Sequence, residues 1–272
     1  MVGAMTVRDS DQPHRFFFCH IPKTGGIALR QRLINHFGEA GVYPTQGVDG
    51  TDPVTMVLSV SHLRERLAVR GEQIKVITGH FPLCTREMLG TRFTTLTLLR
   101  DPVERGLSSL RYHREQTPAA RHMSLEQIYD AAGEFIELTR NGMTKALAQT
   151  PEELGQVARA LERADPEAPL PEFNRAHLER AEEALASMDA FGLQEHFEDF
   201  CDELTARFGW DLGEPVTVNT TEPVEVSDGF RARIAEDNAL DLELYESTQG
   251  LLRDAGRPYE RPEAVRSASA RS

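Results

Sequence analysis

Residues 15–30 have the sequence RFFFCHIPKTGGIALR, and this stretch carries the clearest signal for the fold. Residues 15–21 form a short apolar run that predicts a buried strand, and the Pro22–Gly26 segment after it predicts a turn. From Ile27 to Phe37, apolar residues recur at helical spacing. A strand, a glycine-containing loop and a helix in this order predict the first βα unit of an α/β fold.

The next part of the chain repeats this alternation of strands and helices. Strands are predicted over Ile74–Thr78 and Thr94–Leu99, and a helix over Ser61–Arg70 precedes the first of them. After the second strand, Asp101 has the residue type of an N-cap and is followed by proline, which predicts a helix that ends near Arg114. This alternation predicts a three-layer fold, in which helices flank a central, mainly parallel sheet.

The second half of the chain is predicted to be rich in helices. Helical spacing extends over Leu125–Ala148, Pro151–Arg163, Glu172–Ser187, Glu195–Phe208 and Asp228–Arg253, with a proline-rich break at 165–171 and a short strand at Met188–Leu193. A single domain is therefore predicted over residues 15–255. It lies between a flexible N-terminus at 1–14 and a disordered tail at 256–272 that is rich in Pro, Arg, Ser and Ala.

The composition of the 272 residues, 40% hydrophobic and 27% charged, is that of a soluble globular protein. No apolar stretch approaches the roughly 20 residues of a membrane-spanning helix, and residues 1–15 lack the apolar core of a secretory signal. The three cysteines, Cys19, Cys84 and Cys201, show no metal-binding spacing and argue against a disulfide framework or a zinc site. These features predict a cytoplasmic protein without a transmembrane segment.

The charge is distributed unevenly along the chain. Residues 1–112 hold 14 Lys and Arg against 10 Asp and Glu, whereas residues 113–272 hold 16 against 33. Nucleic-acid-binding domains are usually strongly basic, so the net charge of −13 argues against a nucleic-acid partner. A small anion bound in the basic first half remains compatible with these counts.

The loop of residues 20–26, HIPKTGG, has the composition of an anion-binding turn. Main-chain N–H groups at the start of a helix attract anions, two glycines let the backbone approach a ligand closely, and Lys23 adds a positive charge. The loop is not a Walker A motif, because its lysine precedes both glycines. The alternative is a tight βα turn with a solvated lysine.

A second candidate site follows the strand at Thr94–Leu99. Arg100 lies where that strand ends, and Ser108 lies about two turns into the following helix. A guanidinium group and a hydroxyl group in these positions could hold a phosphate. The alternative is that Asp101 merely starts a helix whose arginines are solvated and pair with Glu104.

His80 follows the strand at Ile74–Thr78. The carboxyl ends of parallel strands share one edge of a sheet, so we expect His80, Arg100 and the loop at 20–26 to meet in one crevice. An imidazole in that crevice could take a proton from an alcohol near neutral pH. The alternative is a structural histidine, which is the commoner role for a single histidine.

These motifs resemble those of the PAPS-dependent sulfotransferases, in particular the branch of carbohydrate and heparan sulfate 2-O-sulfotransferase-like enzymes, in a bacterial-type form. The loop at 22–26 is similar to the family's 5′-phosphosulfate loop, Arg100 and Ser108 to its 3′-phosphate site, and Thr78–Pro82 to the segment of its catalytic histidine. The segments 141–147, 188–210 and 238–245 also look similar, so the resemblance extends from about residue 15 to 255.

The resemblance implies a P-loop-like fold and transfer of the sulfuryl group of PAPS to a hydroxyl, with PAP as the product and no metal. His80 would be the general base and Lys23 would stabilise the leaving phosphate. The expected donor contacts are Lys23, Thr24, Gly25, Gly26, Ile27, Ala28, Arg100 and Ser108. This chain has Ile27 and Ala28 where the family often has Thr or Ser, so only their main-chain N–H groups remain for the phosphate.

The acceptor is not encoded in a readable motif. Sugar hydroxyls, lipid or glycolipid headgroups and small hydroxylated molecules all fit, and the oligomeric state is equally open. Two other functions compete with a sulfotransferase. A small-molecule kinase with a degenerate P-loop would use ATP and Mg²⁺, and a noncatalytic nucleotide-binding protein would bind PAPS without transferring a group.

Overall fold

The computed structural model describes residues 15–131, 133, 136, 139–163, 170–214 and 224–256. The N-terminus at 1–14, most of the break predicted at 165–171 and the tail after Gly256 lie outside these residues. Within the described ranges, no helix combines the length and the hydrophobicity needed to cross a lipid bilayer.

Helices account for most of the elements. The strands are β1 (Phe16–Cys19), β2 (Val42–Tyr43), β3 (Val76–Ile77), β4 (Thr94–Leu99) and β5 (Ala190–Leu193). The helices are α1 (Gly26–Phe37), α2 (Pro53–Leu58), α3 (Val60–Arg70), α4 (Thr85–Leu89), α5 (Pro102–Gln116), α6 (Leu125–Ala131), α7 (Gly142–Ala148), α8 (Pro151–Arg163), α9 (Arg175–Ala186), α10 (Phe197–Phe208), α11 (Asp228–Asp237) and α12 (Ala239–Asp254).

The five strands form one sheet in the order β2-β3-β1-β4-β5, and every neighbouring pair is parallel. In the centre, Phe17 of β1 lies beside Ile77 of β3 and Thr95 of β4. The predicted fold class, α/β with a central parallel sheet flanked by helices, is therefore confirmed. Strands β2 and β3 lie on one side of β1, whereas β4 and β5 lie on the other side. In such sheets ligands bind at the carboxyl ends of the strands where this reversal occurs.

Strand β1 is buried on both faces of the sheet. Successive side chains of a strand point to opposite faces, so the run of phenylalanines supplies two separate cores. Phe17 belongs to the core that contains Leu178 of α9, and Phe18 belongs to the core that contains Leu29 of α1 and Leu204 of α10. Both rings are fully shielded from solvent, and burial of each stabilises the fold by about 1.5–3 kcal/mol.

The helix predicted over Leu125–Ala148 is wrong as a single element. The structure describes α6 over Leu125–Ala131 and gives residues 133, 136 and 139 as helical too, but α7 starts anew at Gly142 after Asn141, which has a left-handed conformation with φ 47°. Asparagine tolerates this conformation better than most residues. The main-chain N–H of Asn141 donates to Oδ1 of Asn238, 2.9 Å away, so a contact with the other end of the chain fixes the break.

The helix predicted over Asp228–Arg253 is also divided, at Asn238. This residue has φ −116° and ψ 35°, and its side-chain N–H donates to the carbonyl of Ile234. Both breaks thus depend on the same pair of asparagines, which are 97 residues apart. The short elements β2, α2 and α4 are not predicted, because they have two, six and five residues and are too short to show a period.

A buried ion pair joins the helices of the two halves. The guanidinium of Arg105 on α5 lies 3.2 Å from the carboxylate of Asp241 on α12, and their side chains are only 2% and 0% exposed. The same carboxylate accepts hydrogen bonds from the main-chain N–H groups of Met143 and Thr144, at 3.0 and 2.8 Å. Asp241 therefore caps α7 while it neutralises the arginine of α5.

Candidate functional site

The carboxyl ends of β1, β3 and β4 bring the predicted site residues together. His20 and the PKTGG loop (Pro22–Gly26) follow β1, His80 follows β3, and Arg100 follows β4. Because β1 lies between β3 and β4, both His80 and Arg100 flank the loop. The hydrogen bonds described below make this proximity direct.

The PKTGG loop has an unusual main chain at two residues. Lys23 has φ 70° and Gly25 has φ 88°, both in the left-handed region. A lysine in this region is uncommon, and such strained residues are concentrated at functional sites. Thr24 lies between them with its side chain fully buried, and its hydroxyl donates to the carbonyl of Ile21 at 2.9 Å. Thr24 can therefore donate to an anion only through its main-chain N–H.

Helix α1 starts directly after this loop without a capping side chain. Gly25 is its N-cap, and its first turn contains no acidic residue. The first intrahelical bond runs from Leu29 N to Gly25 O, which leaves the N–H groups of Gly26, Ile27 and Ala28 free of helical partners. Together with the positive end of the helix dipole, these three groups are the kind of donors that can bind an anion.

Helix α5, which starts at the same edge of the sheet, differs in this respect. The Asp101 carboxylate accepts hydrogen bonds from the N–H groups of Val103 and Glu104, both at 3.0 Å. The side chain of Asp101 therefore caps the N-terminus of α5, as the sequence predicts. An anion near α5 would have to bind to side chains rather than to the start of the helix.

The ring of His20 lies directly beneath the loop. A Cβ atom added to Gly26 would be 2.0 Å from Cδ2 of His20, which is far closer than carbon atoms can approach. The ring stacks on Phe18, with centroids 5.2 Å apart and planes 10° apart. Only glycine therefore fits at residue 26, and the contact with the His20 ring holds the loop close to the end of β1.

His20 and His80 form a pair whose protonation is fixed by the main chain. The Nδ1 of His80 lies 2.9 Å from the carbonyl oxygen of His20, and the Nδ1 of His20 lies 3.0 Å from the carbonyl oxygen of Thr78. A carbonyl oxygen only accepts, so each Nδ1 carries the proton. In the neutral ring the other nitrogen, Nε2, then holds a lone pair and can accept a proton.

Burial keeps both rings neutral. It lowers the pKa of His20 to about 3, with a smaller contribution from His80, whose ring centroid is 4.4 Å away. Burial also lowers the pKa of His80, and the positive charge of Lys23 acts in the same direction. His80 is partly exposed, whereas His20 is buried, so His80 is the one of the two that a substrate could reach.

Arg100 is attached to the loop by a hydrogen bond. Its Nη1 donates to the carbonyl oxygen of Lys23, 3.1 Å away, and so supports the left-handed conformation of that residue. The Nε of Arg100 is shielded from solvent and has no hydrogen-bond partner in the described part of the chain. Arg100 thus orients the loop through Nη1.

Helix α5 presents a polar face beside Arg100. Ser108 is partly exposed and makes no hydrogen bond within the residues that the structure describes. Arg111 follows it by three residues, on the same face of the helix, and is 8% exposed. The sequence analysis missed Arg111, although its spacing from Ser108 could have indicated it. Burial is the main cause that lowers the pKa of Lys23. The positive charge of Arg100 lowers it further, and that of Arg111 does so more weakly.

The side chain of Lys23 rests on an aromatic ring. Its Nζ lies 4.4 Å from the ring centroid of Tyr112 on α5, and Tyr112 is 50% exposed. This cation–π contact contributes about 0.5–1 kcal/mol at such an exposed position. Tyr112 was not predicted as part of the site.

The segment after β5 supports the site from the other side. Glu195 accepts a hydrogen bond from the main-chain N–H of Asp101 at 2.9 Å, and burial raises the pKa of its carboxyl group. Its neighbour Gln194 packs against the loop, because a Cβ atom on Gly25 would lie 3.1 Å from its Cγ. Sequence reasoning missed both residues, which become relevant only because β5 pairs with β4.

The carboxyl edge of the sheet combines free N–H groups at the start of α1, a cluster of cations and a histidine whose Nε2 can accept a proton. Such an arrangement can bind a ligand with two anionic groups and can remove a proton from a hydroxyl. Comparison of the chain with protein-family profiles and with curated protein sequences gives no match. The function proposed below therefore depends on the geometry of this edge of the sheet.

Proposed function

We propose that this protein is a PAPS-dependent sulfotransferase that acts on a hydroxyl of a carbohydrate, a glycolipid or a small molecule. The observation that carries the proposal is the hydrogen bond between the candidate general base, His80, and the main chain just before the PKTGG loop. The Nδ1 proton of His80 is donated to the carbonyl of His20, so the other nitrogen of the ring, Nε2, can accept a proton. A candidate proton acceptor beside a candidate site for the leaving phosphate supports this proposal.

The residues of the crevice fit a nucleotide with anionic groups at two ends. The N–H groups of Gly26, Ile27 and Ala28, together with Lys23, suit the 5′-phosphosulfate. The guanidinium group of Arg100, at the end of β4 and bonded to the carbonyl of Lys23, suits a phosphate on the 3′ side. When bound, PAPS supplies a sulfuryl group that is activated by its bond to phosphate.

Each protein group has a distinct part in the proposed reaction. The Nε2 of His80 accepts the proton that the acceptor hydroxyl loses. Lys23 and the first turn of α1 neutralise the negative charge that collects at the 5′-phosphate. Arg100 holds the loop through the carbonyl of Lys23, so the lysine remains beside the anion site.

Calorimetric titration with PAP, ADP and AMP at one salt concentration tests this proposal. We expect PAP to bind at least tenfold more tightly than ADP or AMP, because only PAP carries a 3′-phosphate. Lys23→Met should weaken all three nucleotides. Lys75→Met is the matched control, because Lys75 lies at the opposite end of the sheet and donates to the carbonyl of Glu72.

Other outcomes would support the competing functions. Equal binding of PAP and ADP, with Mg²⁺-dependent ATP turnover, would make the protein a kinase. Tight PAP binding without release of PAP from PAPS, in the presence of sugar, glycolipid and phenolic acceptors, would favour a noncatalytic nucleotide-binding protein. Absence of any nucleotide binding would reject the proposal. Its three cysteines are free thiols, which suits the cytoplasmic location that we include in the proposal.

A further inference from the structure

Glu195 places a carboxylate directly behind the end of β4. The pairing of β4 with β5 ends at Leu99 and Leu193. Two residues further along each strand, the Oε1 of Glu195 accepts a hydrogen bond from the main-chain N–H of Asp101, at 2.9 Å. Asp101 directly follows Arg100 in the sequence. Glu195 therefore holds the peptide group that joins Arg100 to Asp101.

The surroundings of the Glu195 carboxylate are unfavourable for a charged group. Burial raises its pKa, the hydrogen bond from Asp101 lowers it, and the positive charge of Arg100 lowers it further. Tyr245 on α12 lies close by, because the charge of Glu195 is, after burial, the largest cause that raises the pKa of the Tyr245 hydroxyl. A shielded carboxylate is costly compared with a neutral side chain. The contacts that it makes therefore indicate its role.

The side chain of Arg100 extends this connection to the PKTGG loop. Its Nη1 donates to the carbonyl oxygen of Lys23 at 3.1 Å, and Lys23 has the left-handed φ of 70°. A residue other than glycine keeps such a conformation only where its surroundings impose it. Two contacts therefore act in series. Glu195 fixes the main chain from which Arg100 extends, and Arg100 fixes the carbonyl of Lys23.

The segment after β5 also contacts the loop directly. A Cβ atom added to Gly25 would lie 3.1 Å from Cγ of Gln194 and 3.7 Å from the ring of Phe197. Gly25 is the N-cap of α1 and has φ 88°. The two left-handed residues of the loop, Lys23 and Gly25, are thus both supported from the end of β5.

We propose that Glu195 is a positioning residue: its hydrogen bond to the N–H of Asp101 holds Arg100, and through Arg100 the PKTGG loop, in the conformation that binds the 5′-phosphate group. This inference rests on the proposed function for its ligand, and it gives Glu195 no contact with that ligand. The hydrogen-bond acceptor of Glu195 matters more than its charge, because a glutamine oxygen could hold the same peptide group.

The test is a double-mutant cycle on PAP affinity, measured by calorimetry. Glu195→Met keeps the length of the side chain and removes the hydrogen-bond acceptor, whereas Glu195→Gln keeps the acceptor and removes the charge. Arg100→Met is measured alone and combined with Glu195→Met. Glu246→Met is the matched control, since it makes the same substitution at an exposed glutamate of α12. Urea denaturation of every variant verifies that it is folded under the conditions of the titration.

We expect Glu195→Met to weaken PAP binding by about tenfold, and Glu195→Gln and Glu246→Met to weaken it by less than about threefold. Arg100→Met should weaken PAP binding by at least about tenfold. Adding Glu195→Met to Arg100→Met should weaken it by less than a further factor of about two, because the connection to the loop is already broken. A purely structural role of Glu195 would give losses that add, without recovery in Glu195→Gln.

Three results would overturn the inference while the proposed function stands. Losses that add in the double variant would show that Glu195 does not act through Arg100. A loss in Glu195→Gln as large as that in Glu195→Met would show that the hydrogen bond is not the cause. Unchanged PAP affinity in Glu195→Met would show that Glu195 does not position the loop.

Inorganic pyrophosphate, titrated into the same variants, separates the failure of the proposed function. If the unaltered protein binds pyrophosphate but does not prefer PAP to ADP, the proposed function fails, and the same cycle measured with pyrophosphate decides the role of Glu195. If the unaltered protein binds neither PAP nor pyrophosphate, the PKTGG loop is not an anion site and both proposals fail.

Discussion

The Nδ1 of His80 lies 2.9 Å from the main-chain oxygen of His20, so a residue just before the PKTGG loop sets the tautomer of the candidate base. This bond leaves Nε2 of His80 as the only ring nitrogen that can take a proton. The same contact links the loop after β1 to the loop after β3. A change in His20 should therefore affect both proton transfer and the position of the loop.

His80→Asn should reduce release of PAP from PAPS by about 10²- to 10⁴-fold and change PAP affinity by less than threefold. Burial holds the pKa of His80 below its ordinary value, so the neutral base persists at neutral pH. In the unaltered protein kcat/KM should be constant above neutrality and should fall in acid, with an apparent pKa below about 6.5. His122→Asn, at an exposed residue, is the control. Near-normal turnover of His80→Asn would assign the base to another residue.

His20 should make the protein less stable in acid. Its folded pKa is about 3, whereas an unfolded histidine titrates near 6.5, so the unfolded chain binds the extra proton first. The free energy of unfolding should therefore fall as pH drops from about 6.5 towards 3, by up to about 1.4 kcal/mol per pH unit from this residue. Urea denaturation at pH 7, 5.5 and 4.5 measures the slope. An equal slope in His20→Gln would contradict the assignment.

Gly26→Ala should damage the loop, because the added Cβ would lie 2.0 Å from the His20 ring. We expect a loss of about 1–3 kcal/mol in the free energy of unfolding and at least tenfold weaker PAP binding. Gly229→Ala is the matched control, since nothing lies within 4 Å of its added Cβ in α11. That variant should be neutral or slightly stabilising. Equal behaviour of the two variants would mean that His20 moves away freely.

Tyr112→Leu should strengthen PAP binding by about two- to fivefold, because it removes a cation–π contact that competes for Lys23. Tyr112→Phe keeps the ring and should leave the affinity unchanged. Calorimetric titration of both variants with PAP gives the comparison. Weaker binding in Tyr112→Leu would instead show that the ring contacts the nucleotide or holds the lysine in its productive position.

Asp241→Ala should lower the free energy of unfolding by about 3–5 kcal/mol, because it leaves the buried guanidinium of Arg105 without its counterion. It also removes the cap of α7. Glu243→Gln is the control on the same helix, since Glu243 pairs with Arg175 where both side chains are more than half exposed. That change should cost less than about 1 kcal/mol. Chemical denaturation measures both, and similar losses would refute a special role for the buried pair.

The local parts of the site could be predicted from the sequence. The phenylalanine run, the glycines of the loop and the Asp101 cap each involve groups within a few residues of one another, and the structure places them as expected. The breaks at Asn141 and Asn238 could not be predicted, because each asparagine is held by a hydrogen bond to the other across 97 residues. Helical spacing alone continues through both positions.

The sequence by itself determined that this chain alternates strands and helices and that a glycine-containing loop joins β1 to a helix, because these features depend on neighbouring residues. The tertiary structure decided which distant groups surround that loop. It brings His80 to His20, Arg111 to the neighbourhood of Lys23, and Glu195 to Asp101. The pairing of β3, β4 and β5 around β1 is the physical reason, since it assembles the site from segments that are far apart in the chain.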